Sequence, residues 1–215
     1  MKVLFIHRSV GQGIISKGNL RTLLNSDIKF DDFNHNTKTL TCHDGELTHD
    51  VLPEIGEDTK PENIEHMFAS WPVLLDNYEV IAIKSCYPNS HIKTHEQLAK
   101  IKDTYLRMIE YVSTHGKHLL ILTTPPLRPH FTNSTEILHA DDLAAWLVTQ
   151  TSDEVSVFDL RHLLSEKGVL KHEYRSWFPW DNHPNRRGYK ASADAFGGIL
   201  DRLSSSSKAQ PKDMR

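Results

Sequence analysis

Hydrophobic positions fall into short, nearly continuous apolar runs separated by longer stretches with helical spacing. Residues 2–7 (KVLFIH) form the first run and stop at the polar cluster His7-Arg8-Ser9, as a buried strand does at the edge of a sheet. Residues 11–24 carry Ile14, Ile15, Leu20, Leu23 and Leu24 and predict a helix interrupted by glycine. Further strand-like runs lie at 28–33, 80–83, 119–122 and 155–158. Thr94 with Gln97 is a capping box, and the helix behind it runs to about residue 115 with Leu98, Ile101, Tyr105, Met108, Ile109 and Val112 on one stripe. Asn133 with Glu136 opens another helix, to about residue 151. Pro61 opens a short one to about residue 70, and a last helix spans roughly residues 185–203. Residues 34–60 are polar, rich in His, Asp and Thr, and lack periodicity; a loop that long inside a compact domain usually has a job.

Strands alternating with helices imply a parallel sheet covered on both faces. The expected architecture is an α/β three-layer αβα sandwich with a five-stranded parallel sheet in the flavodoxin-like order 2-1-3-4-5. No repeat or linker divides the chain, so residues 1–203 read as one domain. Residues 204–215 begin with four serines and read as a disordered tail.

Composition narrows the function classes. Lys+Arg total 25 against 28 Asp+Glu, a net charge of −3, so no large basic field awaits a nucleic acid. No apolar run approaches the roughly 20 residues of a membrane span, and the N-terminus reads as a first strand, not a signal peptide. Two cysteines, Cys42 and Cys86, make neither a disulfide framework nor a structural zinc site. The expected protein is reduced and cytoplasmic, with no nucleic-acid or membrane partner; its oligomeric state is not legible.

In an open parallel sheet, ligands bind beyond the carboxyl ends of the strands where the strand order reverses. That switch lies between the first and third strands, so Ser9 and Asn89 belong to neighbouring loops on one rim. Each also suits a plain turn or helix cap. Asp181-Asn182-His183-Pro184-Asn185 precedes the last helix, and a histidine at a helix start with a carboxylate two residues earlier can serve as an oriented general base. With 14 histidines in the chain, such a pair also arises by chance.

In order along the chain, these residues resemble the blocks of the SGNH (GDSL-like) hydrolases. The Ser block is His7-Arg8-Ser9-Val10-Gly11, without the usual Gly-Asp before the Ser. The Gly block is Gly56-Glu57-Asp58-Thr59, with Glu57 inserted. Tyr87-Pro88-Asn89-Ser90 stands for the Asn block, and Asp181-Asn182-His183-Pro184-Asn185 for the His block, its carboxylate two positions before the His instead of three. The resemblance implies Ser9 as nucleophile, His183 as general base and acid, and Asp181 as its orienting partner. It implies an oxyanion hole from the Ser9 and Gly56 N–H groups and the Asn89 amide, with no metal and no cofactor. Arg8, Tyr87 and Trp180 are candidate substrate contacts. The implied activity is cleavage of an ester-linked acyl group on a small molecule or glycoconjugate. An O-acyltransferase with the same triad and a non-catalytic binding module on the same scaffold are the alternatives.

Other features read as follows. Arg8 can bind a substrate anion or pair with an acidic neighbour. Lys84 and Arg161 read as structural cations at strand ends. Cys86 reads as a buried, inert thiol, because nothing in the sequence sets a base beside it. Trp177, Phe178 and Trp180 wall a pocket or form core or lid. His35, His43 and His49 match no zinc spacing and read as a solvated loop. Gly11-Gln12-Gly13 is an incomplete dinucleotide loop, with Ser16 where the fingerprint has Gly.

Overall fold

The apolar runs pair in parallel. The computed structural model describes residues 1–34, 36–37, 39–43, 47–48 and 76–209. Its main sheet contains β1 (Lys2–His7), β2 (Lys29–Asn34), β3 (Thr39–Thr41), β4 (Leu47–Thr48), β5 (Val80–Lys84), β6 (His118–Leu122) and β7 (Val155–Phe158), in the order β4-β3-β2-β1-β5-β6-β7. The five parallel strands β2-β1-β5-β6-β7 reproduce the expected 2-1-3-4-5 order. Two antiparallel strands, β3 and β4, extend the edge beyond β2, so the sheet is seven-stranded and not five-stranded. They come from the polar stretch after residue 34 and are too short to leave a periodic signal. A separate hairpin joins β8 (Ser165–Glu166) to β9 (Val169–Leu170).

Alternate residues of β1 serve opposite faces of the sheet, as the strand's two-residue period requires. Val3 and Phe5 join one buried cluster, with Ile14, Leu20, Leu160, Tyr189 and Phe196. Leu4 and Ile6 join the other, with Leu98, Tyr105, Met108, Leu143 and Leu147. The first face is covered by α1 (Ser9–Ser16), α2 (Leu20–Leu23), α5 (Leu160–Leu164) and α6 (Arg186–Ala209); the second by α3 (His95–Thr114) and α4 (Ser134–Thr149). Both capping signals act as expected: Thr94 Oγ1 accepts from Gln97 N at 3.1 Å, and Asn133 Oδ1 accepts from Glu136 N at 3.0 Å. Each such cap contributes about 1 kcal/mol.

Two boundaries moved. The helix expected over 11–24 starts earlier, at Ser9, and breaks in two, because Asn19 takes the left-handed conformation (φ 59°) after Gly18. A Cβ on Gly18 would meet Ile14 O at 2.4 Å and Tyr189 O at 2.6 Å, so α6 backbone packs directly on that turn. The last helix continues past Leu203 to Ala209. Ser204 is buried, and the hydroxyls of Ser205 and Ser206 donate to the carbonyls of Asp201 and Arg202, so the serines expected in a tail extend the helix instead. Residues 210–215, the helix expected at 61–70 and Gly56 lie outside the described residues. Among the described residues, no helix is long and apolar enough to cross a membrane.

Candidate active site

The turn after β1 carries Ser9 into the first position of α1. Arg8 before it is extended (φ −122°, ψ −162°), and its carbonyl accepts from Gln12 N at 3.0 Å. Beneath the turn His7 is buried, with Nε2 3.1 Å from Asp32 Oδ2, while Arg21 donates to the other oxygen of Asp32. A Cβ on Gly11 would stand 2.3 Å from His7 Cβ, and one on Gly13 would stand 2.1 Å from Tyr189 Cε1. Those two glycines are therefore packing positions within a helix, not a nucleotide loop.

Against the Ser9 hydroxyl stands Cys86, its Sγ 3.7 Å from Ser9 Oγ. Residues 84 and 86 leave β5 two apart and share a face, which sets the buried Lys84 beside the thiol; its Nζ also donates to Ser85 O at 2.6 Å. Burial alone would push the Cys86 thiol up. The Lys84 ammonium, with the N–H groups of Tyr87 and Val10 and the Ser9 hydroxyl, outweighs it and holds the thiol below its ordinary value. Burial, in turn, lowers Lys84, and the charge of Arg8 acts in the same direction. Cys86 is buried as expected, and the charged group beside it is the Lys84 ammonium. The alternation of residues 84 and 86 at a strand end was the signal that could have shown it.

The loop after β5 reaches the His block through Tyr87. Its hydroxyl donates to Asn182 O at 2.7 Å, and its ring meets the His183 ring edge-to-face at 5.5 Å. Asn89 sits on the same 3₁₀ turn (Tyr87–Ser90), half-buried, with its N–H bonded to Cys86 O at 3.0 Å. The Tyr105 hydroxyl, buried on α3, lies toward Ser85 and Asn89 without reaching hydrogen-bond geometry to either.

Asp181 and His183 form a compact pair. Oδ1 of Asp181 accepts from His183 N at 2.9 Å and from His183 Nδ1 at 2.7 Å. A proton committed to Nδ1 leaves the lone pair of a neutral ring on Nε2. Burial would raise the Asp181 carboxyl, but the bonds from His183 and Ser176 hold it below the ordinary value. Asn185 fixes the entry to α6: Oδ1 accepts from Arg187 N and Gly188 N, and Nδ2 donates to Glu173 O and Arg175 O.

A residue that the sequence did not single out clamps this loop. Arg128, only 4% exposed, leads out of the β6 exit; its guanidinium donates to Pro179 O at 3.0 Å and to Ser176 O, and its backbone N donates to Asn182 Oδ1 at 3.1 Å. His130 Nε2 adds a bond to Pro179 O at 2.8 Å. The clamped loop displays Trp177, Phe178 and Trp180 at 93%, 54% and 73% exposure, so none of them is core. Arg161 is structural as expected, buried and donating to Asp141 Oδ1 and Gly168 O.

Of the expected site residues, Asp181 and His183 are paired, Tyr87 touches the His183 ring and the Asn182 carbonyl, and Asn89 lies on the Tyr87 turn; the Ser9 hydroxyl meets Cys86 Sγ, and among the described residues no hydrogen bond joins it to His183. Trp180 stands on the clamped loop two residues before the loop contact of Tyr87, and Arg8 begins the nucleophile turn. Gly56 falls outside the described residues, as do His35 and His49; His43 is exposed. Among the described residues, no group of three or more His, Cys, Asp or Glu could hold a metal ion.

No protein-family model matches the sequence, and no curated protein matches it. Solved structures do. An inferred acylhydrolase from Bacteroides fragilis superposes with a TM-score of 0.61 at 14% identity, covering 94% of this chain and 88% of that one. A carbohydrate esterase of family 3 from Talaromyces cellulolyticus gives 0.53 at 16% identity, over 96% and 99%. A GDSL-like lipase from Bacteroides thetaiotaomicron gives 0.54 at 8% identity, over 96% and 88%. At such identities the likeness speaks for architecture: the chain has the three-layer α/β fold of the SGNH (GDSL-like) hydrolases.

Proposed function

We propose that the protein is a serine hydrolase that cleaves ester-linked acyl groups, with Ser9 as nucleophile, His183 as general base and acid, and Asp181 as the carboxylate that orients it. The observation that carries this reading is the 2.7 Å bond from His183 Nδ1 to Asp181, on a loop that Tyr87 joins to the turn beside Ser9. Nε2 then takes the Ser9 proton while Oγ adds to the ester carbonyl. Negative charge gathers on the carbonyl oxygen, where the N–H of Ser9, free of an intrahelical partner in the first turn of α1, can donate. The Asn89 amide and the Gly56 N–H are the proposed further donors. Collapse of the intermediate expels the alcohol with the proton held on Nε2, and water activated by the same nitrogen releases the acid. The carbohydrate esterase among the structural neighbours supports a sugar ester as substrate, with Arg8, Tyr87 and Trp180 as the proposed contacts to its alcohol part.

The test is turnover of p-nitrophenyl acetate by the wild type and by Ser9→Ala. Turnover should vanish in the variant while its melting temperature stays within a degree or two of wild type, as a half-buried hydroxyl on a packed helix supports little stability. Unchanged turnover in Ser9→Ala would remove Ser9 from the reaction.

A further inference from the structure

A cavity that takes no part in that reaction opens on the same rim. It has a volume of about 590 Å³, within the range of small-ligand sites, and is lined by His91, Lys93, Phe131, Thr132, Asn133 and Glu136. His91 follows the 3₁₀ turn that carries Asn89, its N–H donating to Tyr87 O at 3.2 Å, and Phe131 ends the turn Pro129–Phe131. Both turns lie past the carboxyl ends of the neighbouring strands β5 and β6, where open parallel sheets bind their ligands. Glu136 is 5% exposed, and among the described residues its carboxylate has one hydrogen-bonding contact, to His91 Nδ1 at 3.4 Å. A carboxylate has about four acceptor sites, and burying its charge is costly unless donors fill them. A molecule in the cavity that Glu136 lines can supply those donors.

The lining narrows the chemistry of that molecule. Glu136 opposes an anion and Lys93 opposes a cation, so the cavity favours a neutral guest. Carboxylate, amide, hydroxyl, imidazole and ammonium groups together both accept and donate, which suits a guest bearing several hydroxyls. Phe131, half-buried, adds an apolar ring that can pack on the C–H groups of a pyranose. Its ring centroid lies 4.5 Å from that of His130, whose Nε2 meets Pro179 O at 2.8 Å. Contacts therefore run from the cavity to the loop that displays Phe178 and Trp180 ahead of His183. We infer that the cavity is a subsite for a neutral sugar of an oligosaccharide, engaged through Glu136, His91 and Phe131 while an acylated sugar of the same chain occupies the reaction site. The inference rests on the hydrolase reading and narrows its substrate from a sugar ester to an acylated oligosaccharide. Binding energy from a remote part of a substrate is read in kcat/KM, so chain length should matter to rate.

The full-length protein is assayed on partially O-acetylated cellotetraose, on O-acetylated methyl glucoside and on p-nitrophenyl acetate. The tetrasaccharide should show a kcat/KM about tenfold above that of the methyl glucoside, the worth of one well-made remote contact. Phe131→Ala and Glu136→Gln should each remove most of that gain, while turnover of p-nitrophenyl acetate, which carries no sugar, should stay within about twofold of wild type. Melting temperatures are recorded alongside; if Glu136→Gln fails to fold, Phe131→Ala decides. Unacetylated cellotetraose, titrated calorimetrically, should bind the wild type about tenfold more tightly than Phe131→Ala. Equal kcat/KM on the tetrasaccharide and the methyl glucoside, or a gain that survives Phe131→Ala, overturns the inference. So does a preference for longer p-nitrophenyl acyl esters that Phe131→Ala abolishes, which would assign the cavity to an acyl chain. A protein that hydrolyses none of these esters overturns the hydrolase reading instead, and the cellotetraose titration then decides the sugar site alone.

Discussion

One carboxylate oxygen of Asp181 collects both the backbone N–H and the ring N–H of His183, so a single side chain fixes the position and the tautomer of the base. The two-residue spacing that departs from the resembled family is what permits this: the backbone turn between the residues is closed by the same oxygen. The carboxyl is held below its ordinary value of 3.8. Its folded-state value being depressed, its contribution to stability is complete above pH 3.8 and is lost as pH falls through the lower folded value. Thermal melts across acid pH should therefore show Asp181→Asn losing less stability than wild type below pH 3.8. At neutral pH the same variant should lower ester turnover by up to about 10⁴-fold, since an amide can present N–H to the ring and select the wrong tautomer. Wild-type turnover in Asp181→Asn would mean another group orients His183.

At the level of elements, the helices that present Ser9 and His183 are packed on each other through a missing side chain. Gly13 of α1 receives the Tyr189 ring of α6, and an added methyl would overlap Cε1 and Cζ at 2.1 and 2.2 Å. Tyr189 is 2% exposed and has no room to withdraw. Gly13→Ala should thus lower stability by about 1–3 kcal/mol despite the better helix propensity of alanine, measurable by urea denaturation. Stability equal to or above wild type would show that α6 can shift. The Arg128 clamp acts at the same scale, joining the β6 exit to the loop ahead of His183 by bonds to Ser176, Pro179 and Asn182. Arg128→Ala should cut kcat by about 10²-fold through misplacement of the His183 loop. A rise in KM alone would assign Arg128 to substrate binding.

Across the whole molecule, what the sequence made legible was what the sheet buries on both sides. β1, β5 and β6 are nearly continuous apolar runs, β7 is a shorter one, and β2 (KFDDFN) shows only its two phenylalanines; the helical stretches between them implied the parallel order, which put the Ser9 and Asn89 loops on one rim. Strands β3 and β4 escaped notice because three and two residues carry too little pattern. The break at Asn19 and the serine-rich end of α6 depend on contacts with distant elements: the Tyr189 carbonyl against Gly18, and the buried environment of Ser204. The same limit hid the Arg128 clamp, whose meaning lies in what it touches across the fold.

If His183 activates Ser9 as proposed, a fluorophosphonate probe will react there, since the probe phosphonylates only a hydroxyl whose proton a nearby base removes. Peptide mapping should find the tag on Ser9 in the wild type and no tag in His183→Ala. An untagged wild type, or a tag that persists in Ser9→Ala at another residue, would contradict that activation.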